Sequence, residues 1–149
     1  NEVEEMVEKT KKEGAKVLLG GKRPSGFNKG FYYEPTIFDE VKDDYTIMKV
    51  EPFGPLVPIL SFKSFDEIIE RANNNDLGLC SYICTNSMEK AHRASELMES
   101  GTVAVNTPLV ALAEAPFGGI KQTGYGREGG SMAIKDYLNI KYTHLGLKG

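Results

Sequence analysis

The stretch Leu79-Cys80-Ser81-Tyr82-Ile83-Cys84-Thr85, followed by Asn86-Ser87-Met88-Glu89 and, further on, by Thr102-Val103-Ala104-Val105-Asn106, decides the fold class. The first and last runs are short and apolar, as buried strands are. Between them Met88, Ala91, Ala94, Leu97 and Met98 recur at helical spacing. Asn86-x-x-Glu89 predicts the helix entry and Gly101 its end. One step upstream, Leu56 to Phe62 reads as another strand, and Ser64-x-x-Glu67 opens a helix whose apolar face is Ile68, Ile69 and Ala72. Asn73-Asn74-Asn75-Asp76 ends that helix. Strand, helix, strand, helix, strand with short connections is the order of a right-handed βαβ layer. The expected fold class is therefore α/β, with a parallel sheet.

Further out the pattern is looser. Val3, Met6, Val7 and Thr10 form one stripe of an N-terminal helix over residues 1–13, and Gly14 stops it. Lys16 to Leu19 is a short strand, residues 22–30 are loop, and Phe31 to Phe38 is an edge or bulged strand because Pro35 interrupts it. A long glycine-rich loop precedes a short helix near Ser131 to Tyr137. The last strand, Ile140 to Leu147, sets Ile140, Tyr142 and His144 against Lys141, Thr143 and Leu145. That half-solvated alternation suits pairing outside the main sheet. The expected division is a body over residues 1–139 and an oligomerisation strand or tail over 140–149.

Composition narrows the class of function. Of 149 residues, 40% are hydrophobic and 26% charged, the balance of a globular domain. A net charge of -3 with scattered Lys and Arg argues against nucleic acid or an anionic membrane as partner. No apolar run approaches the roughly 18 residues of a membrane span. The polar, acidic start is unlike a signal peptide. Cys80 and Cys84, four apart on one strand, stand roughly 13 Å from each other, too far to bridge. Reduced thiols and a cytoplasmic address follow as the expectation. Two histidines 52 positions apart make no metal site.

Two segments framed by glycine and proline carry the chemistry: Glu51-Pro52-Phe53-Gly54-Pro55 and Ala115-Pro116-Phe117-Gly118-Gly119-Ile120-Lys121-Gln122-Thr123-Gly124-Tyr125-Gly126-Arg127-Glu128-Gly129-Gly130. Each puts an aromatic ring beside backbone that must bend sharply or approach a ligand. With Gly20-Gly21, Glu34-Pro35-Thr36, Arg71-Ala72-Asn73-Asn74 and Gly101-Thr102-Val103-Ala104-Val105-Asn106, they occur in the order found in the C-terminal part of aldehyde dehydrogenase superfamily enzymes, which the chain resembles through nearly its whole length. The text around Asn106-Thr107 resembles the succinate-semialdehyde dehydrogenase branch, although the Ala111 region offers no hydroxyl or cation for a substrate carboxylate.

The resemblance implies oxidation of an aldehyde to a carboxylic acid with NAD or NADP, through a cysteine nucleophile and a glutamate-activated water. Neither group has a match here. In the family both lie upstream of the Glu-x-Phe-Gly-Pro segment, whereas Cys80 and Cys84 lie after it. The chain is thus expected to lack the nucleophile and to be inactive alone. Glu51 matches the glutamate that holds the nicotinamide ribose, and Phe53 the aromatic packed near the nicotinamide. Phe117 and the stretch Thr107 to Leu112, with Val110 and Ala111 at its centre, match the wall of the aldehyde tunnel. The implied partners are a small-molecule aldehyde and further copies of the chain, as dimer or tetramer.

On residues alone, each of these has a plainer reading. Glu51 could be a solvated acid, Phe53 and Phe117 core rings. Gly118, Gly119, Gly124 and Gly126 read as backbone devices, and Asn106 as a residue that holds its loop through backbone hydrogen bonds. Gly124-Tyr125-Gly126-Arg127-Glu128-Gly129 spells G-x-G-x-x-G, but no strand leads into it and positions 144–149 hold no acid for a ribose. A non-catalytic interaction or dimerisation module of the same fold is the competing reading of the whole chain.

Overall fold

A computed structural model describes residues 2–147. The chain divides into two compact units, one up to Ser64 and one from Phe65 onward.

The first unit opens with helix α1 (Glu2–Glu13), whose acids Glu2, Glu4 and Glu5 sit in the first turn and Lys11 and Lys12 in the last. That arrangement complements the helix dipole at both ends. Val7 and Thr10 are the buried pair of the expected stripe, and the Thr10 hydroxyl donates to Met6 O at 2.8 Å. Gly14 ends the helix at φ +112°, its N–H bonded to Lys11 O and that of Ala15 to Thr10 O.

Strand β1 (Lys16–Leu19) pairs antiparallel with β2 (Thr36–Asp39), which pairs parallel with β3 (Leu56–Pro58). In β2 the period of two is plain: Thr36 and Phe38 are buried, Ile37 and Asp39 half-buried. Phe38, Val7, Tyr45, Ile47 and Leu56 form the core, with Val41 and Ala15. Fully burying a ring such as Phe38 is worth ~2–3 kcal/mol. A four-residue helix, α2 (Thr46–Lys49), lies between β2 and β3 in sequence and buries Ile47.

In the second unit, helix α3 (Phe65–Asn73) is followed by β4 (Leu77–Gly78), β5 (Cys80–Ile83), α4 (Met88–Leu97), β6 (Thr102–Val105), β7 (Ile120–Lys121) and a 3-10 turn, Ala133–Tyr137. β5 and β6 run parallel in register, Cys80 opposite Thr102 and Ile83 opposite Val105, with α4 as the crossover. β4 pairs antiparallel with β7. Asn73 joins the ends of α3 and α4: its amide donates to Leu97 O and accepts from Glu99 N. Arg93 of α4 lies 4.6 Å over the Phe65 ring and pairs with Asp66.

Three expectations are corrected. β3 pairs with β2, and the strands form three small sheets whose parallel pieces are β2–β3 and β5–β6. β2 begins only at Thr36, because Pro35 has no N–H for a ladder. Helix α4 is capped by Ser87, whose hydroxyl accepts from Lys90 N, and not by Asn86. Residues 140–147 are paired to no strand among the described residues. The two terminal residues of the expected tail, 148 and 149, and residue 1 of the expected helix lie outside the described residues.

Candidate functional site

In the first unit the segment from Val50 to Pro55 is pinned at both ends. Val50 N donates to Thr46 O at 2.9 Å, and Thr36 N to Pro55 O at 2.8 Å. Between them Gly54 N donates to Pro52 O and Leu56 N to Gly54 O, each at 2.8 Å. Gly54 is glycine for a reason of space: a Cβ there would stand 2.6 Å from Val3 Cγ2 of α1. These anchors leave Glu51 and Phe53 facing outward, the Phe53 ring 86% exposed. Both line a groove of about 340 Å³ with Val50, Pro52, Thr46 and one face of α1. Among the described residues the Glu51 carboxylate has no hydrogen-bond or ion-pair partner. An exposed apolar ring beside a carboxylate with open lone pairs suits a ligand that offers hydroxyls next to a flat surface.

One residue that shapes this loop was not legible beforehand. Glu13, the last residue of α1, accepts from Thr46 Oγ1 at 2.5 Å and from Thr46 N at 2.9 Å. The Thr46 hydroxyl is the main reason the Glu13 carboxyl lies below the ordinary range; burial opposes it as the next effect, and the Thr46 N–H and the field of Lys9 add smaller lowering contributions. Nothing in the local sequence signals a pairing across 33 positions.

In the second unit Phe117 is half-buried and exchanges two 2.7 Å backbone hydrogen bonds with Glu128. It lines a cleft of about 320 Å³ with Leu79, Arg127, Asp136 and Tyr137. Val110 is half-buried and Ala111 exposed on the loop preceding Phe117, outside the lining of that cleft. Thr107 and Pro108 instead line a hollow of about 480 Å³ with Tyr82, Cys84 and Asn106. The structure thus brings Glu51 together with Phe53, and does not bring Val110 or Ala111 to the cleft of Phe117.

The glycines of this unit are backbone devices. A Cβ on Gly118 would lie 2.5 Å from Gly126 O, and one on Gly119 2.3 Å from Thr123 Cγ2. Gly124 and Gly126 sit at φ +118° and +84°. Arg127 donates through Nη1 to Gly119 O and Gly126 O, while its N–H bonds Asp136, so its role is to lock the loop. Lys121 does similar work at the end of α3, donating to Asn73 O and Asn75 O and pairing with Glu99. Cys80 and Cys84 are free thiols, and the neighbouring Cys80 sulfur first, then burial, raises the Tyr82 phenol above its ordinary value. Among the described residues no cluster of His, Cys, Asp and Glu could hold a metal ion, and no helix is long and apolar enough to cross a membrane.

Comparison with known proteins gives these features a context. The model of the aldehyde dehydrogenase family matches residues 1–143. Aldehyde dehydrogenase, cytosolic 1, of Macroscelides proboscideus is 47% identical over 141 residues, covering 95% of this chain and 28% of the relative. The mitochondrial succinate-semialdehyde dehydrogenase of Arabidopsis thaliana is 43% identical over 145 residues, 97% of this chain and 27% of its own length. The solved NAD+ complex of aldehyde dehydrogenase from Bacillus cereus superposes with a TM-score of 0.93 at 43% identity, over 98% of this chain and 29% of that one. The α/β class expected from the strand and helix order is the class observed. The chain spans less than a third of the length of these relatives, and it belongs to the aldehyde dehydrogenase family.

Proposed function

We propose that the chain is the C-terminal part of an enzyme that oxidises an aldehyde to a carboxylic acid with NAD or NADP, and that it supplies the nicotinamide-ribose contact and a wall of the substrate tunnel rather than the nucleophile. The observation that carries this reading is the Glu51 carboxylate, unpaired among the described residues and held outward by a loop fixed at both ends.

The residues present fit the cofactor. An ionised carboxylate only accepts, and its two oxygens can receive both hydroxyls of a vicinal diol. The exposed Phe53 ring limits where a flat heterocycle beside that diol can sit. When bound, the nicotinamide supplies the hydride acceptor. Glu51 then orients the ribose, and through it the ring face presented to the substrate, a contribution of geometry. Phe117 gives the tunnel one apolar wall, and Val110 and Ala111, on the preceding loop and outside the Phe117 cleft, offer a separate apolar surface, which together admit an aldehyde without a charged tail. Residues 140–149 are the oligomerisation tail in this proposal, and the free thiols Cys80 and Cys84 support a cytoplasmic location.

The test is Glu51→Gln in the complete enzyme. Losing one charge-assisted pair costs roughly 1.5–3 kcal/mol where it is shielded from water. Single-turnover hydride transfer should fall more than cofactor affinity, since contacts to the adenosine end keep the cofactor bound. An unchanged single-turnover rate removes Glu51 from the site.

A further inference from the structure

We infer that Glu13 is a positioning residue for the cofactor loop: from the end of α1 it holds the start of α2, and through that helix it sets where Glu51 stands. The inference rests on the ribose role proposed for Glu51.

Four residues make one turn, and one turn of helix does not hold itself in water, because nucleation fixes several residues for a single hydrogen bond. α2 therefore depends on external support. Its N-cap residue, Tyr45, makes no side-chain capping bond. The support comes from Glu13, whose two oxygens take the Thr46 N–H and the Thr46 hydroxyl. At its other end the same Thr46 accepts, through its carbonyl, the N–H of Val50, the residue before Glu51. The path from Glu13 to Glu51 thus runs through two residues, Thr46 and Val50. Tyr45 and Ile47, both buried, fix the orientation of the turn. Gly14 allows the close approach: a Cβ there would stand 2.9 Å from the Tyr45 hydroxyl oxygen. Thr46, Val50 and Glu51 line the same groove.

A merely structural role and a positioning role separate in a double-variant cycle. The complete enzyme is made as Glu13→Ala, Glu13→Gln, Glu51→Gln and Glu13→Ala/Glu51→Gln, and single-turnover hydride transfer is measured at saturating aldehyde and cofactor. Glu13→Ala should slow hydride transfer roughly ten- to a hundredfold, the usual consequence of a displaced orienting group. Glu13→Gln, which keeps one acceptor oxygen, should fall between it and wild type. The double variant should be no slower than Glu51→Gln, because Glu13 acts only through that carboxylate. If Glu13→Ala fails to fold, Thr46→Val takes its place, keeping the amide bond and losing the hydroxyl. A Glu13 or Thr46 variant with a lowered melting temperature and an unchanged rate, where Glu51→Gln is slow, overturns this inference and leaves the ribose role standing. Additive losses in the double variant overturn it too. An unimpaired Glu51→Gln sinks the ribose role, and the inference with it.

Discussion

Asn106 and Thr85 hold each other by a closed pair of hydrogen bonds: Thr85 N donates to Asn106 Oδ1 at 3.0 Å, and Asn106 Nδ2 donates to Thr85 O at 2.9 Å. The pair continues the β5–β6 ladder one step past its last backbone rung, where Asn106 N donates to Ile83 O. Asn106 does this at φ +55°, a conformation that Asn tolerates better than most residues. Asn106→Ala removes both side-chain bonds and keeps the backbone strain. It should cost about 1–2 kcal/mol in denaturant unfolding, and Asn106→Gly less, because glycine relieves the strain. Equal losses in the two variants would contradict this account.

Gly101 and Gly118 meet backbone to backbone. A Cβ on Gly101 would stand 1.8 Å from Gly118 O, so the two strands of chain can pass only if that position is bare. Gly101→Ala should destabilise by about 3 kcal/mol or more, since backbone rather than a flexible side chain must move. A Cβ on Gly146 would meet nothing within 4 Å, so thermal melting should show a large loss in Gly101→Ala and none in Gly146→Ala.

The Glu13–Thr46 pair also makes stability depend on pH. Glu13 has its folded-state pKa lowered, chiefly by the Thr46 hydroxyl. A depressed carboxylate stabilises above the unfolded-state value, and the contribution is lost as pH falls through the lowered folded value. Urea unfolding across the acidic range should therefore show a steeper loss in wild type than in Glu13→Gln, with the two curves converging at the acid end. Parallel curves would mean that Glu13 ionisation is not linked to folding.

What could be read beforehand was local. α1, the α4 crossover and the parallel β5–β6 pair follow from periods of 3.6 and 2 and from glycine stops. Glu51 and Phe53 can be singled out in the sequence because they sit in one contiguous signature. Partnerships across distance left no such mark. That β3 joins β2 depends on the buried Phe38 and Leu56, which hydrophobic runs alone cannot pair. Glu13 reads as one more acid of a charged helix until Thr46 is folded against it. Val110 and Ala111 were assigned to a wall with Phe117, yet the apolar run gives no direction, and the structure sets them apart from that cleft.

The chain by itself should oxidise no aldehyde. Its thiols, Cys80 and Cys84, lie in or next to β5, after the Glu51–Phe53 loop, and the Cys80 thiol donates to Ser81 O. Absorbance growth from NADH or NADPH, with a panel of aldehydes, should stay at background. Turnover that vanishes in Cys80→Ser or Cys84→Ser would make one of them the nucleophile and overturn the proposed division of labour.

The tail from Ile140 to Leu147 should pair with another subunit. Tyr142 and His144, two apart, already share a side, their hydroxyl and Nδ1 3.3 Å apart, as in an extended strand. Ile140 and Leu147 are 102% and 94% exposed. Extended backbone with free N–H and C=O groups and uncovered apolar side chains is a liability unless another chain covers it. In a two-fold oligomer that cover is reciprocal, each tail completing its neighbour. Deleting residues 140–149 should shift the complete enzyme toward smaller species in sedimentation velocity. It should lower the rate as well, because the loop locked by Arg127 and Asp136 lies just before the tail. A truncated enzyme that keeps both its size and its rate would show that the tail takes no part in assembly.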